Sequence, residues 1–281
     1  MRLLSRRGKR ETLMDISMPP AFPEVDFRAF GIAASAFFPS VASVEAQFDP
    51  HEKRWQFDRS WQAVRYRYRG CFECNEEFKA LLDDKASDWW KGGGTDEELT
   101  YKLDRCIYAF FTSGVSVFDS FAFCLYFYGN ALQPGAFPDV ANPHSITRNT
   151  TAKAFNAAFP KAAITGLLAA LSDDARFRTI DDVRNLLGHR ISGRRSIRPS
   201  SRTDSDGTRR QSYEQTWYLP GAAAELMFDE ELLQRHLENI TGLLTSLSSD
   251  AREFAESQKA AKEARNEPPA DRQSRAQQSS R

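Results

Sequence analysis

An apolar run from Ile107 to Tyr128 constrains the fold of this 281-residue chain more than any other feature. As a helix, the run is long enough to span a bilayer. It carries Asp119 near its middle, however, and a charge at the bilayer centre is costly. It is also interrupted by small or hydroxyl residues, Thr112, Ser113, Gly114, Ser116 and Ser120. A helix that is apolar on all sides is equally expected at the centre of a soluble bundle. The preferred interpretation is the buried helix, and a membrane span is the alternative.

The segments on either side of this run predict an all-α fold, an antiparallel helical bundle. From Val41 to about residue 84, apolar residues recur at spacings of three, four and six, which indicates a long helix. Thr95 and Glu98 have the spacing of a capping box that would start the central helix, at about 96–130. Three later helices are predicted at about 147–157, at 160–171 and from Asp229 to Lys262, with a motif helix starting at Thr179 and Asp182 between the last two.

The remaining segments divide the chain into an arm, a domain and a tail. Residues 1–40 are predicted to be an irregular N-terminal arm, because their prolines break any long helix. Residues 41–262 form the helical domain, and 263–281 are too polar to bury a core and are expected to be disordered. A small β-hairpin is predicted after the motif helix, with a turn at Asp206-Gly207 and a strand from Tyr213 to Leu219.

Composition excludes some classes of protein. Lys and Arg together number 38, as do Asp and Glu, so no global field draws the chain to nucleic acid. The basic N-terminus lacks a following apolar segment, so a secretory signal is not expected. The 4 Cys then favour a reducing, cytoplasmic location. Cys71 and Cys74 form a lone C-x-x-C that is interpreted as core rather than as a zinc site, as are Cys106 and Cys124.

Chemistry-bearing residues are concentrated at 181–190. On a helical projection, one stripe is apolar and comprises Ile180, Val183, Leu187 and Ile191. The opposite face comprises Asp181, Asn185 and His189, with Arg184 at the edge between the two faces. The plainest interpretation is that Arg184 pairs with Asp181 on a solvated face and that His189 caps the helix end.

The pattern Arg184-Asn185, three residues, then His189 resembles the signature of the HEPN superfamily. The resemblance covers the motif and the helices around it, about residues 95–262. It implies an all-α bundle that pairs as a homodimer, and for many members a metal-independent ribonuclease of toxin, abortive-infection or RNA-processing systems. Other members have lost catalysis and bind nucleotides or partners.

Metal-independent RNA cleavage needs a base, an acid and a fixed cation. His189 would serve as general acid/base, Arg184 would clamp the phosphate, and Asn185 would position it. One histidine cannot easily perform both proton transfers, so two copies across a two-fold axis are expected to share one cleft. The leading hypothesis is a HEPN-type endoribonuclease, such as a toxin or defence effector, with no metal and no cofactor. The alternative is a non-catalytic helical protein that binds nucleotide, RNA or a protein partner.

An arginine-rich stretch follows the motif and could neutralise several phosphates of single-stranded RNA. The RNA-binding residues predicted there are Arg190, Arg194, Arg195 and Arg198. A solvated loop is the alternative for these charges. Tyr213, Trp217 and Tyr218 could stack on bases, although packing of a strand is preferred. The expected partners are RNA, a second copy of the chain and, for a toxin, an antitoxin or neighbouring protein.

Asp119 is the remaining oddity, because a carboxylate inside an apolar helix needs a partner. The candidates are Arg184, Arg105 or a hydroxyl group. If the partner is Arg184, Asp119 would orient the guanidinium that holds the phosphate.

Overall fold

The computed structural model describes residues 50–89, 97–140, 142–188 and 231–266, together with Gly207 and the backbone of 194–203, 209–218 and 226–227. Six helices make up most of this part of the chain: α1 (Pro50–Trp89), α2 (Glu97–Leu132), α3 (Arg148–Ala158), α4 (Ala163–Ala170), α5 (Ala175–Gly188) and α6 (Leu232–Asn266). Short 3-10 helices lie at Pro143–Ser145 and Leu171–Asp173. The predicted all-α character is therefore confirmed. The predicted arm, the Thr95 cap and most of the predicted tail lie outside the described residues.

Helix α1 is held to the bundle by a stripe of buried residues spaced alternately by four and three. Such a repeat keeps one seam of a long helix against its neighbours. The apolar members are Phe57, Trp61, Val64, Tyr68, Cys71 and Phe78. Asn75 takes a polar place in the stripe, and its Nδ2 donates to Gln234 Oε1 of α6 at 3.0 Å. The seam therefore fixes α1 against both apolar and polar neighbours.

Helix α2 lies at the centre, antiparallel to α1. Arg67 Nη1 donates to the Ser116 carbonyl at 3.1 Å, and Arg105 pairs with Glu77, so late residues of α1 meet early residues of α2. Helix α2 also packs against α3, α5 and α6. Among the described helices it is long and apolar enough to cross a membrane, and 72% of its most apolar 18-residue window is buried in the protein. It is surrounded as a central bundle helix would be.

Two glycines of α2 are required by close approaches. A Cβ at Gly114 would lie 2.9 Å from Ile240 Cδ1, where α6 crosses α2. A Cβ at Gly129 would lie 2.5 Å from the Phe137 ring, because the following loop folds back over the helix. Tyr126 anchors that loop by donating its hydroxyl hydrogen to the Pro138 carbonyl at 2.7 Å. Tyr126 and Phe137, whose rings are in contact, thus cover the end of α2, and this pair is called the aromatic plug.

The thiols belong to this interior. Cys71, Cys106 and Cys124 are buried and Cys74 is half-buried, all as free cysteines. Cys71 Sγ donates to the Phe110 carbonyl at 3.7 Å. Burial raises the pKa of Cys106 to about 12. The interpretation of Cys71, Cys106 and Cys124 as core residues is confirmed.

Helix α5, which carries the motif, begins four residues earlier than predicted. Asp174 Oδ1 accepts the backbone N–H of Arg176 at 2.9 Å, which satisfies a free donor of the first turn. Thr179 lies inside the helix, where its hydroxyl donates to the Ala175 carbonyl at 2.8 Å. The predicted start at Thr179 and Asp182 was wrong because a hydroxyl residue can bond back within a helix as well as cap it.

The buried stripe of α5 is partly as predicted. Ile180 and Val183 are buried, and Leu187 is half-buried. Ile191 lies outside the described residues. Asp181 and Arg184 are each half-buried beside this stripe, and they turn toward the neighbouring helices α2 and α3.

Three strands follow the motif helix. Strand β1 (Arg194–Thr203) pairs antiparallel with β2 (Arg209–Tyr218), and β3 (Leu226–Met227) pairs with the other edge of β2. Gly207, in the connection from β1 to β2, has a φ of 81°, a left-handed value that glycine adopts without strain. It belongs to the Asp206-Gly207 pair predicted as a turn. Pro199 lies in β1, an edge strand, where a residue without an N–H is tolerated.

Candidate anion-binding site

The motif arginine is held by an acid one helical turn before it. Arg184 Nη2 lies 2.7 Å from Asp181 Oδ1, and 36% of the Arg184 side chain remains exposed. The plainest interpretation of the sequence predicted this pairing, but on a solvated face, whereas both residues are half-buried and Asp181 faces Arg148 of α3. An exposed i,i+3 pair contributes little to stability, so Arg184 is held only loosely.

A second arginine approaches the same acid from another helix. Arg148, the first residue of α3, places Nη2 3.9 Å from Asp181 Oδ1, and its side chain is only 17% exposed. Thr147 caps this helix and forms a reciprocal capping box with Thr150. The guanidinium of Arg148 lies over the ring of Phe177 at 4.2 Å from the ring centroid. Arg148 and Arg184 therefore meet around one carboxylate.

Asp119 is the second acid of this group, and its position corrects the sequence interpretation. Its carboxylate is half-exposed and Oδ1 lies 3.0 Å from Arg148 Nε. The direct ion-pair partner is therefore none of those predicted, Arg184, Arg105 or a hydroxyl group, although Arg184 lies close enough to lower the pKa of Asp119. Arg105 pairs instead with Glu77, and Arg184 with Asp181. The residue that satisfies Asp119 comes from a helix 29 positions further along the chain, which no local spacing indicates.

The pKa of Asp119 reports the charges around it. Burial by the surrounding protein raises that pKa above its ordinary value, while Arg148, Arg184 and Arg67 lower it and Asp181 raises it. The Arg–Asp cluster thus consists of Arg67, Asp119, Arg148, Asp181 and Arg184. Among these five side chains, three guanidiniums face two carboxylates, which is an excess of one positive charge.

Two donors of this cluster have no hydrogen-bond partner among the described residues. They are Arg148 Nη1 and Arg184 Nε, and both atoms are buried. A buried donor without a partner costs free energy, more when it is charged. Arginine groups grip the oxygens of phosphate through two N–H bonds at once. Chemically, the cluster can bind an anion.

The other predicted site residues are placed less fully. Asn185 is half-buried on α5. His189 and Arg190 follow the last described residue of the helix and lie outside the described part. The backbones of Arg194, Arg195 and Arg198 belong to β1, at register positions opposite Tyr218, Trp217 and Glu214. Their side chains are outside the description.

Within the described ranges, no three His, Cys, Asp or Glu side chains are grouped so that they could hold a metal ion. His236 of α6 is buried with its ring edge-to-face on Phe111, 5.1 Å between centroids. Burial, assisted by Arg235, lowers the pKa of His236 to about 4. His236 is thus a neutral core residue near pH 7.

Comparison of the chain with protein-family models, curated proteins and solved structures found no match. The resemblance to the HEPN superfamily accordingly stays a prediction that rests on Arg184, Asn185 and His189. Sequence reasoning found Arg184 and Asp181 but missed Arg148. The sequence does indicate that a helix begins near Arg148, because Thr147 can cap it. It does not indicate that this helix start lies close to α5.

Proposed function

We propose that this chain is a HEPN-like, metal-independent endoribonuclease that acts in the cytoplasm as a homodimer, of the toxin or defence-effector type. The observation that carries the proposal is the environment of the Arg184 side chain. Its guanidinium is partly exposed, its Nε has no partner in the described part of the chain, and a second arginine lies beside it. His189, the proposed proton-transfer group, follows five residues later in the chain.

The roles follow from the chemistry of each group. Arg184 would hold two oxygens of the scissile phosphate and stabilise the charge that develops on it. Histidine is the side chain whose ordinary pKa lies near neutral pH, so His189 would take the proton from the 2′-hydroxyl or give one to the leaving 5′-oxygen. Asn185 would position the phosphate. Arg190, Arg194, Arg195 and Arg198 would contact the backbone of single-stranded RNA on either side.

Dimerisation is part of the proposal because one chain supplies one motif histidine. A two-fold axis near the end of α5 would bring two His189 and two Arg184 into one cleft, so that one imidazole acts as base and the other as acid. A toxin of this kind would also need a silencing partner. That partner would cover the arginines and is expected to be acidic.

The test uses the purified full chain, EDTA and end-labelled single-stranded RNA. Products ending in 2′,3′-cyclic phosphate are expected, and His189→Ala should lower the cleavage rate by about a hundredfold or more. His144→Ala is the matched control, because His144 is exposed in the short 3-10 helix before α3 and should leave the rate unchanged. Equal rates for both variants would contradict the proposal, as would uncut RNA with the wild-type chain.

A second function is favoured by one observation. In the described part of the cluster, every ionisable group is an arginine or a carboxylate, and Arg184 is already held by Asp181. Such a group can bind an anion without catalysing a reaction. A non-catalytic protein that binds RNA or a nucleotide would retard labelled RNA and leave it intact, and His189→Ala would not change that binding.

A further inference from the structure

We propose that Arg148 and Arg184 form a two-arginine phosphate site and that Asp181 is the internal anion that occupies it when no ligand is bound. A phosphate of the RNA backbone would take the place of the Asp181 carboxylate between the two guanidiniums. This inference rests on the proposed function only in taking RNA as the ligand, and it concerns binding rather than cleavage. It adds a residue on α3, Arg148, to a site otherwise predicted on and after α5.

The first support is that both guanidiniums approach the same oxygen. Asp181 Oδ1 lies 2.7 Å from Arg184 Nη2 and 3.9 Å from Arg148 Nη2. The first distance is a hydrogen bond, whereas the second is too long for one. The Asp181 carboxylate therefore hydrogen-bonds to Arg184 Nη2 but not to Arg148 Nη2.

The second support is the number of donors that remain. Arg148 Nη1 and Arg184 Nε are buried without a partner among the residues described. A carboxylate offers two oxygens, and one Asp181 oxygen is already shared by two cations. A phosphodiester also has two non-bridging oxygens. Because it is not tethered to α5 as Asp181 is, it could turn so that these oxygens accept hydrogen bonds from both guanidiniums. Exchange of Asp181 for phosphate would satisfy donors that have no acceptor in the described part of the chain.

The third support is that Arg148 stays in place when Asp181 moves. Its Nε is held by Asp119 Oδ1 at 3.0 Å, and its flat face is held by the Phe177 ring at 4.2 Å. Neither contact involves Asp181. Arg148 is thus oriented by α2 and α5 before any ligand arrives, and only the Asp181 carboxylate must turn away toward solvent.

Charge favours the same exchange. Arg67 is fixed by its bond to the Ser116 carbonyl and lies close enough to lower the pKa of Asp119. With Asp181 in place the five-residue cluster carries one excess positive charge. With the Asp181 carboxylate displaced, the same cluster would present an excess of two positive charges to the incoming phosphate. Attraction of this kind is sequence-independent and weakens as salt rises.

The experiment measures binding of the full chain to a fluorescent single-stranded DNA oligonucleotide, which lacks the 2′-hydroxyl and cannot be cut by this chemistry. Affinity is taken from anisotropy at several salt concentrations. Asp181→Asn should tighten binding by about tenfold, since an exchange free energy of about 1.4 kcal/mol corresponds to that factor. Asp174→Asn is the matched control. It removes an equal charge at the start of the same helix, where Asp174 pairs with Arg176 at 2.7 Å, and should change affinity less than about twofold.

Arg148 is tested by two variants in the same assay. Arg148→Gln should weaken binding by about tenfold and reduce the slope of log affinity against log salt by about 0.7, the value for one phosphate contact to a single strand. Arg148→Lys keeps the charge and is used if the glutamine variant fails to fold. It should keep the slope but weaken binding, because lysine cannot grip two oxygens. Arg176→Gln, on the exposed side of α5, is the control for loss of an arginine.

The outcomes separate this inference from the proposed function. Equal effects of Asp181→Asn and Asp174→Asn, or an unchanged salt slope in Arg148→Gln, would overturn the two-arginine site even if RNA is cleaved in a His189-dependent way. Conversely, the expected changes in binding with no cleavage by the wild-type chain would support the site and overturn the ribonuclease. Circular dichroism of every variant shows whether it is folded.

Discussion

Polar groups serve two different purposes in two regions of this molecule. Between α1 and α6, Tyr68 and Thr241 form a buried neutral pair, with 2.6 Å between their hydroxyl oxygens. In the Arg–Asp cluster they are charged and share partners, and two of the buried donors have no acceptor among the described groups.

The contrast teaches which groups can be exchanged for a ligand. A buried neutral pair is costly to open, because each partner would be left without a hydrogen bond. A shared, partly exposed ion pair is worth little, so an external anion can replace one of its members. Substitutions between α1 and α6 should therefore change stability, and substitutions in the cluster should change binding.

The largest expected effect is the acid sensitivity of the interior at His236. The folded pKa of about 4 lies below the ordinary value of 6.5, so the unfolded chain binds a proton that the folded chain does not over that interval. The contribution of the neutral His236 imidazole to the free energy of unfolding is therefore fully present above pH 6.5, and it is lost as the pH falls toward 4. The loss should reach on the order of 3 kcal/mol, since one pKa unit is worth about 1.4 kcal/mol.

Urea unfolding of the wild type and His236→Phe at pH 7.5 and pH 4.5 checks this prediction. The phenylalanine variant cannot take up the proton, so its free energy of unfolding should fall less between the two pH values. His144→Ala serves as the control, because His144 is exposed. If wild type and His236→Phe lose equal stability, the histidine is not the acid-sensitive group.

The next effect concerns the aromatic plug at the end of α2. Gly129→Ala should destabilise the protein by about 2 kcal/mol, because the new methyl group would lie 2.5 Å from the rigid Phe137 ring. Gly166→Ala, on α4, meets no atom within 4 Å and should be neutral or slightly stabilising. Thermal unfolding of both variants measures the difference, and a neutral Gly129→Ala would show that the loop is not packed on α2 as described.

A smaller effect is expected for the neutral pair between α1 and α6. Thr241 donates its hydroxyl hydrogen to the Leu237 carbonyl at 2.7 Å, so Tyr68 is the donor to the Thr241 oxygen. Tyr68→Phe removes that donor and should cost about 1 kcal/mol of unfolding free energy. Tyr66→Phe, where the residue is 76% exposed, should change the same quantity by less than half as much.

The smallest change in stability is expected in the cluster itself. Arg184→Gln should alter the free energy of unfolding by less than about 1 kcal/mol, because the side chain is partly exposed and its ion pair lies within one helix. The same variant should weaken oligonucleotide binding and abolish RNA cleavage. A large loss of stability together with unchanged binding would reverse the division between the two regions.

The bundle was predictable because periodicity is a local property. The apolar stripe of α1 and the run at 107–128 specify long helices whatever surrounds them. The start of α5 was not predictable on the same basis. Thr179 and Asp182 have the spacing of a cap, yet Asp174 performs that role.

The cluster was predictable only in part, since it is assembled across three helices. Arg184 and Asp181 are one turn apart, so their pairing could be derived from helical geometry. Arg148 and Asp119 come from two other helices, and their meeting depends on how α2, α3 and α5 pack. Asp119 was therefore noticed as an oddity, but its direct ion-pair partner, Arg148, was not among the candidates. Only tertiary structure identifies Arg148 as a member of the site.

Phe177 links this cluster to the hydrophobic interior. One face of its ring supports the Arg148 guanidinium at 4.2 Å, and the same ring is nearly perpendicular to the Phe118 ring of α2, with 5.2 Å between centroids. A flexible cation seated on a rigid aromatic surface has already lost most of its rotamer freedom during folding. Little entropy then remains to be lost when an anion arrives, so capture of a phosphate should be fast and should require no rearrangement of the backbone.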